Sequence, residues 1–180
     1  MRKMIFVGGI HGVGKTTFCN EVSKRYNLPH YVASKLISNL KKQEFSKSKR
    51  IDSIGDNQDI LVKALDTYTQ KEKWTLLDGH FCLLNKLGHI ERISSQTFEC
   101  IQPSAIVIIT DEVDKISKRL RGRDSLDLDI NFLKSFQSEE LTHALEISQK
   151  LDVPYFIYKE HKNTEELHKF INNIVNHYRV

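Results

Sequence analysis

Gly9-Ile10-His11-Gly12-Val13-Gly14-Lys15-Thr16 is the stretch that decides the fold of this 180-residue sequence. It has the spacing of a phosphate-binding loop, or Walker A motif: glycine, four residues, glycine, lysine, and serine or threonine. Gly9, Gly12 and Gly14 allow the backbone to turn tightly with its N–H groups pointing inward at an anion. With glycine near 7% of residues, a chain of this length matches the motif by chance on the order of 1% of the time. The stretch therefore predicts a site that holds phosphate groups.

The sequence on either side of the loop supplies the context that the motif requires. Residues 4–7 form an apolar run that predicts a strand, and residues 15–25 predict a helix whose positive dipole end points at the phosphates. Lys15 is expected to reach the β- and γ-phosphates of ATP, and the Thr16 hydroxyl to coordinate Mg²⁺. The residues expected to bind the nucleotide are Gly12, Val13, Gly14, Lys15, Thr16 and Thr17.

Short apolar runs alternate with helical patterns along the chain, which is typical of a parallel sheet with crossover helices. The run 105–110 is apolar and β-branched throughout, as expected for a strand covered on both faces in the middle of the sheet. The predicted strands are 4–7, 31–33, 75–77, 105–110 and 155–158. The predicted fold is α/β: a P-loop NTPase three-layer α/β/α sandwich with a five-stranded parallel sheet, formed by residues 1–180 as one domain.

Helical periodicity and end signals predict the helices between these strands. Asp111 is placed to cap the helix that follows the fourth strand, and Asn163 with Glu166 three residues later has the pattern of a capping box. The polar segment 42–55 is predicted to be either a loop or a short surface helix. The predicted helices are 15–25, 56–71, 112–121, 129–150 and a final helix after residue 163.

An acidic residue at the end of a neighbouring strand is needed to position Mg²⁺ beside the loop. Two residues qualify, because Asp78 ends the third predicted strand and Asp111 ends the fourth. Asp111 already has a structural explanation as a helix cap, whereas Asp78 is followed by a loop. Asp78 is therefore the favoured metal residue together with Thr16, and Asp111 stays the alternative.

Three arginines surround one glycine in Arg119-Leu120-Arg121-Gly122-Arg123. Basic residues at a helix end interact favourably with the helix dipole, which is one explanation of the cluster. Arginine forks also neutralise the charge that develops during phosphoryl transfer, and Gly122 would let the segment bend over the site. Beside a phosphate-binding loop, the second explanation predicts a short arginine lid at residues 119–128.

Four blocks of this sequence resemble the nucleoside monophosphate kinases, especially archaeal-type adenylate kinases and adenylate kinase-like ATP-binding proteins of the AAA type. Residues 8–17 are similar to the start of that family, and Asp78-Gly79-His80 looks like its Asp-Thr-His. Residues 103–109 resemble its fourth strand, and residues 119–124 its arginine-bearing lid. The departures are His11 in place of proline and Gly79 in place of threonine.

The resemblance implies ATP and Mg²⁺ as cofactors and a small phosphate acceptor, most simply a nucleoside monophosphate. It also implies that Lys15, Arg119 and Arg123 stabilise the transferring phosphoryl group, and that Asp78 lies near Mg²⁺ or the acceptor. An acceptor-binding insertion is expected at about residues 34–59, which match the family at no individual residue. The residues expected to contact the acceptor are His80, Arg121 and His11, beneath a hairpin flap at 81–92.

Composition and charge limit the partners of the chain. Hydrophobic residues make up 39% and charged residues 28%, near the averages for globular domains. Three cysteines without close pairing fit a reducing compartment, and no apolar run of about 18 residues could cross a membrane, so a cytoplasmic protein is expected. The net charge of +4 suits an anionic ligand.

Two functions other than a small-molecule kinase stay open at the level of sequence. The same loop could drive an ATP-dependent ATPase switch that regulates a partner protein. It could also serve a polynucleotide 5′-end kinase, for which the basic cluster at residues 41–50 would be the nucleic-acid contact.

Overall fold

The computed structural model describes residues 1–47, 57–124, 128–159 and 162–177. The strands are β1 (Arg2–Gly8), β2 (His30–Val32), β3 (Thr75–Asp78), β4 (Cys82–Leu84), β5 (Ile90–Arg92), β6 (Pro103–Thr110) and β7 (Tyr155–Lys159). The helices are α1 (Lys15–Tyr26), α2 (Ala33–Lys47), α3 (Asn57–Tyr68), α4 (Ser95–Ile101), α5 (Val113–Asp124), α6 (Ile130–Leu151) and α7 (Thr164–His177).

The main sheet has five parallel strands in the order β2-β3-β1-β6-β7. Successive side chains of β1 point to opposite faces, so that Ile5 and Val7 join one apolar cluster and Met4 and Phe6 join the other. Helices α1 and α7 cover the first face, whereas α3 and α4 cover the second. The predicted three-layer α/β fold with a five-stranded parallel sheet is therefore confirmed.

The register of the parallel strands places the ends of β2 and β3 beside the phosphate-binding loop. Asp78, the last residue of β3, lies in register with Val7 of β1 and with Val32 of β2. The Gly79 N–H donates a hydrogen bond of 3.0 Å to the Val7 carbonyl. The carboxyl ends of parallel strands therefore bring Asp78 to the edge of the sheet at which the loop begins, which is the usual place for a ligand site in such sheets.

Several helix predictions need correction. The first part of helix α2, residues 33–41, was not predicted; of the two alternatives for segment 42–55, the helix is observed as far as Lys47, and residues 48–56 lie outside the described chain. Helix α4 was not predicted; it begins after Ser94, whose side chain accepts a hydrogen bond of 3.3 Å from the Gln96 N–H. The predicted capping box of α7 is absent, because Asn163 bonds instead to the backbone of Ile157 and Lys159 at the end of β7.

The segment predicted to be a flap is a β-hairpin. Strands β4 and β5 pair antiparallel, with Cys82 opposite Arg92. In the turn, the Asn85 carboxamide oxygen accepts hydrogen bonds from the N–H groups of Leu87 and His89. The Arg92 guanidinium forms ion pairs of 2.8 and 2.7 Å with two glutamates of α6, Glu139 and Glu146, which anchor the hairpin on that helix.

Among the helices within the described ranges, none is long and apolar enough to cross a bilayer.

Candidate active site

The loop between β1 and α1 has the backbone conformation that its glycines were predicted to allow. Gly9, Gly12 and Gly14 have φ angles of 142°, 80° and 105°, which L side chains rarely adopt. A Cβ atom on Gly12 would also approach the Leu120 side chain of α5 to 2.8 Å. The loop is therefore packed from behind by α5 and left open on its other side.

Lys15 is buried at the start of α1, with its ammonium group turned into the loop. Its Nζ donates hydrogen bonds of 2.8 Å to the Gly9 carbonyl and 3.3 Å to the Ile10 carbonyl. These are carbonyls of the loop itself, so Lys15 lies next to the space that the loop encloses.

Thr16 and Asp78 meet at the mouth of the loop. The Thr16 hydroxyl donates a hydrogen bond of 3.0 Å to Oδ2 of Asp78. Burial alone would raise the pKa of Asp78, but the neighbouring His30, the Lys15 charge and the Thr16 hydroxyl outweigh it, and the pKa lies below its usual value. The carboxylate is therefore ionised at neutral pH. Together with the hydroxyl it offers two oxygen ligands, the kind that Mg²⁺ prefers.

Asp111, the alternative metal residue, is engaged elsewhere. Its Oδ1 accepts a hydrogen bond of 2.8 Å from the Glu112 N–H, just before α5, which begins at Val113 rather than at Glu112. Its Oδ2 forms an ion pair of 2.8 Å with the Arg119 guanidinium. The structure thus joins Asp78, and not Asp111, to Thr16.

Two cavities meet at the mouth of the loop. The first, of about 170 Å³, is lined by the expected nucleotide residues Gly12, Gly14, Lys15, Thr16 and Thr17. The second, of about 420 Å³, extends from the loop to the start of α2 and to α3 and α4. Both cavities are lined by His11, Val32, Ser34, Asp78 and His80. His11 and His80, two of the three residues predicted to contact an acceptor, therefore lie at the boundary between a phosphate cradle and a larger, mostly apolar space, whereas Arg121 lines neither cavity.

A model of the AAA domain family matches residues 8–133, about two thirds of the chain, from the end of β1 to the start of α6. The chain belongs to this AAA domain family. Membership makes it a P-loop nucleotide-binding protein, and the loop, Asp78 and Arg119 all lie inside the matched part. No curated protein matches the chain.

Two solved structures share the fold of this AAA domain. One is an uncharacterized protein from Eubacterium ventriosum, with 12% identity, a TM-score of 0.53, and coverage of 96% of this chain and 98% of that chain. The other is a gluconokinase from Sinorhizobium meliloti, with 15% identity, a TM-score of 0.53, and coverage of 96% and 91%. At these identities the two structures show that the fold is shared.

The arginine segment of the AAA domain is the last part of helix α5, which continues to Asp124. Gly122 therefore lies inside a helix, and the predicted bend over the site is wrong. Arg119 nevertheless reaches the loop, because its NH1 donates a hydrogen bond of 3.3 Å to the Val13 carbonyl. Arg121 is exposed two residues further along the helix, and the side chain of Arg123 lies outside the described part of the structure.

His80 of the AAA domain lies at the junction of the two cavities. Burial lowers the pKa of His80 to about 3, and the positive charge of Lys15 acts in the same direction. The imidazole is therefore neutral at physiological pH, so that it can form hydrogen bonds but supplies no positive charge. Its Nδ1 is buried without a hydrogen-bond partner among the described residues, and its ring lies 6.3 Å from that of His11.

Glu140, on α6, is a residue of the site that the sequence analysis missed. Only 1% of it is exposed, and its carboxylate accepts hydrogen bonds from the N–H groups of Gly9, Phe81 and Cys82, at 2.9, 2.9 and 2.6 Å. Burial raises the pKa of Glu140, while these N–H groups and Lys15 oppose the rise. One carboxylate thus joins the start of the phosphate-binding loop to the start of the hairpin. The available signal was a glutamate four residues from both Phe136 and Ala144, on an apolar helix face.

Proposed function

We propose that this protein is an ATP- and Mg²⁺-dependent phosphotransferase that moves the γ-phosphate of ATP to a small molecule. The observation that carries the proposal is the shared boundary of the two cavities. A phosphate held by the loop would face a second space of about 420 Å³ across Asp78, His80 and Ser34. A protein that only bound and hydrolysed ATP would need no second cavity at that position.

The residues of the loop divide the work of phosphoryl transfer, which is mostly positioning and electrostatic stabilisation. Backbone N–H groups of Gly12 to Thr17 and the N-terminus of α1 bind the phosphate oxygens. Lys15 leaves its carbonyl partners for the β- and γ-phosphates, and Arg119 neutralises negative charge from the side of Val13. Thr16 and Asp78 would hold Mg²⁺, which supplies charge neutralisation between the β- and γ-phosphates when it is bound.

The acceptor is a small molecule that presents a hydroxyl or phosphate oxygen toward Asp78. The apolar wall of the larger cavity, which includes Phe6, Ile37 and Phe98, suits a planar or carbon-rich portion of the acceptor. The resemblance to adenylate kinases makes nucleoside monophosphates the first acceptor class to test. The similarity of fold to a gluconokinase makes sugar acids the second class.

An acceptor screen tests the proposal directly. Purified protein with ATP and Mg²⁺ is incubated with nucleoside monophosphates, nucleosides, sugars and sugar acids, and ADP and the phosphorylated product are measured. We expect one class to stimulate ADP formation with stoichiometric product, and Lys15→Ala to abolish it while Lys24→Ala, an exposed change on the same helix, leaves it unchanged. Slow ATP hydrolysis that is the same with every acceptor would overturn the proposal and favour an ATPase switch.

A further inference from the structure

Beneath the phosphate-binding loop, three side chains of different chemistry converge. Cys19 lies on α1, His30 begins β2 and Asp78 ends β3. The Cys19 sulfur, an imidazole nitrogen of His30 and a carboxylate oxygen of Asp78 all lie within 4.8 Å of one another. Cys19 is fully buried, and the side chain of His30 is 10% exposed. Thiolate, imidazole and carboxylate are the three protein ligands of Zn²⁺.

The orientation of His30 turns one of its ring nitrogens toward the other two groups. Its Nδ1 lies 3.2 Å from the side-chain oxygen of Asn20, which can only accept, so Nδ1 carries a proton and Nε2 is the nitrogen left to bind a ligand. That Nε2 is buried with no hydrogen-bond partner among the described residues, and it faces Oδ2 of Asp78 at 3.8 Å. In the neutral imidazole with its proton on Nδ1, Nε2 turns a lone pair toward this carboxylate oxygen, and the two repel each other unless a cation lies between them.

The distance between Nε2 of His30 and Oδ2 of Asp78 also favours a bound metal ion over a direct ion pair between the two side chains. An imidazolium would form a hydrogen bond to Asp78 at about 2.8 Å, clearly shorter than 3.8 Å. Nitrogen and oxygen ligands that share one tetrahedral ion at about 2.0–2.1 Å lie roughly 3.4 Å apart. A movement of a few tenths of an ångström would therefore bring Nε2 and Oδ2 to ligand distance. The bond from Nδ1 to Asn20 is the kind of outer contact that fixes the tautomer of a metal-binding histidine.

We propose that Cys19, His30 and Asp78 form a binding site for a thiophilic divalent cation of the Zn²⁺ class. On binding, the Cys19 thiol loses its proton to solvent and becomes a thiolate ligand. Thiolate and carboxylate together supply two negative charges, which balance the charge of the ion. The ammonium of Lys15 lies close enough to lower the pKa of both groups, and its charge opposes that of the cation.

The site shares one atom with the magnesium position, which gives the ion a regulatory consequence. Oδ2 of Asp78 accepts the Thr16 hydrogen bond and is also the oxygen that faces His30. An ion bound to Cys19 and His30 therefore withdraws Asp78 from Thr16. This consequence, inhibition of nucleotide turnover by Zn²⁺ at constant Mg²⁺, rests on the proposed function, whereas binding of the ion does not.

Cobalt spectroscopy on the protein without nucleotide tests the site independently of activity. We expect Co²⁺ to give a thiolate-to-cobalt charge-transfer band with one equivalent bound, and Zn²⁺ to displace it. The band should disappear in Cys19→Ser and persist in Cys100→Ser, which removes an exposed thiol on α4. His30→Gln, at the edge strand of the sheet, should weaken Co²⁺ binding at least tenfold. Thermal unfolding of each variant shows whether it remains folded.

Two results would overturn the proposal. One is a wild-type protein that folds but gives no charge-transfer band with Co²⁺. The other is a band that survives in folded Cys19→Ser, or in folded His30→Gln with unchanged affinity. A band that meets all expectations in a protein that phosphorylates none of the tested acceptors would support the metal site and reject the proposed function alone.

Discussion

The hydroxyl of Thr16 and the carboxylate of Asp78 are joined by a hydrogen bond of 3.0 Å across two elements of the fold. Thr16 belongs to the first turn of α1, and Asp78 is the last residue of β3, 62 positions later in the chain. The contact places a hydroxyl and an ionised carboxylate side by side at the mouth of the phosphate-binding loop. Neither the loop motif nor the strand pattern alone could select this pair.

Asp78→Asn should raise the Mg²⁺ concentration needed for half-maximal phosphotransfer at least tenfold, because it removes the negative charge beside Thr16. The measurement is a Mg²⁺ titration of initial rate at saturating ATP. Asp111→Asn is the matched control, since Asp111 pairs with Arg119 rather than with Thr16. A larger shift in Mg²⁺ requirement for Asp111→Asn than for Asp78→Asn would assign the metal to the other strand.

Arg119→Ala should lower kcat by about 10²-fold or more with a smaller change in the KM for ATP, because Arg119 lies against the Val13 carbonyl of the loop. Steady-state kinetics of Arg119→Ala and Arg121→Ala at equal Mg²⁺ provide the comparison. Arg121 is exposed and projects from another side of α5, so its removal should affect kcat less. Equal losses in both variants would mean that the two arginines act together on the transferred group.

The main sheet could be predicted from the sequence because its strands are short, apolar and separated by clear helical patterns. The five strands and their parallel arrangement were predicted to within two or three residues, and the hairpin at residues 81–92 was recognised from its turn. Helix α2 was not predicted at residues 33–41, and beyond them a helix was only one of two alternatives, because its polar, lysine-rich sequence has few apolar positions. Gly122 was predicted to allow a bend, but it lies inside a helix, because a glycine there costs only about 1 kcal/mol and the surrounding helix formers outweigh this cost.

The candidate site was predictable only where one segment carries a motif. The loop residues follow from spacing alone, and Asp78 follows from its position at a strand end. Glu140 does not, because its three donors lie on segments up to 131 residues away and periodicity carries no information about such contacts. The same applies to the meeting of Cys19 with His30. The catalytic and acceptor roles of the individual residues stay predictions.

The free energy of unfolding should decrease as the pH is lowered below about 6.5, because His80 is neutral in the folded protein. Its pKa is 6.5 in an unfolded chain and about 3 in the folded protein, so the unfolded state binds the proton first and gains from it. Between pH 6.5 and pH 5 this one residue should cost up to about 2 kcal/mol of unfolding free energy, at about 1.4 kcal/mol per pH unit. The contribution is absent above pH 6.5.

Urea unfolding at pH 7 and at pH 5 measures this effect in wild type and in His80→Asn. The loss of stability between the two pH values should be smaller in His80→Asn by roughly that amount. His89→Asn, a change at an exposed histidine of the hairpin, should leave the wild-type loss unchanged. A pH dependence that is identical in wild type and His80→Asn would mean that His80 is protonated in the folded protein.

Glu140→Gln should destabilise the protein by about 1–3 kcal/mol, although it keeps the size and shape of the side chain. In the wild type Oε1 accepts from Gly9 and Phe81, and Oε2 accepts from Cys82. An amide can offer an acceptor on one side only, so its NH₂ group must face at least one backbone N–H and leave it unsatisfied in the core. Denaturant unfolding at pH 7 measures the change in the free energy of unfolding.

Glu139→Gln is the control for that change, because Glu139 is the next residue on α6 and makes a surface ion pair with Arg92. Loss of that pair should cost no more than about 1 kcal/mol. Since Gly9 begins the phosphate-binding loop, Glu140→Gln should also weaken ATP binding, measured by calorimetry on folded protein, whereas Glu139→Gln should not. If the two variants lost equal stability and kept equal ATP affinity, the buried carboxylate would not be what fixes the start of the loop against the hairpin.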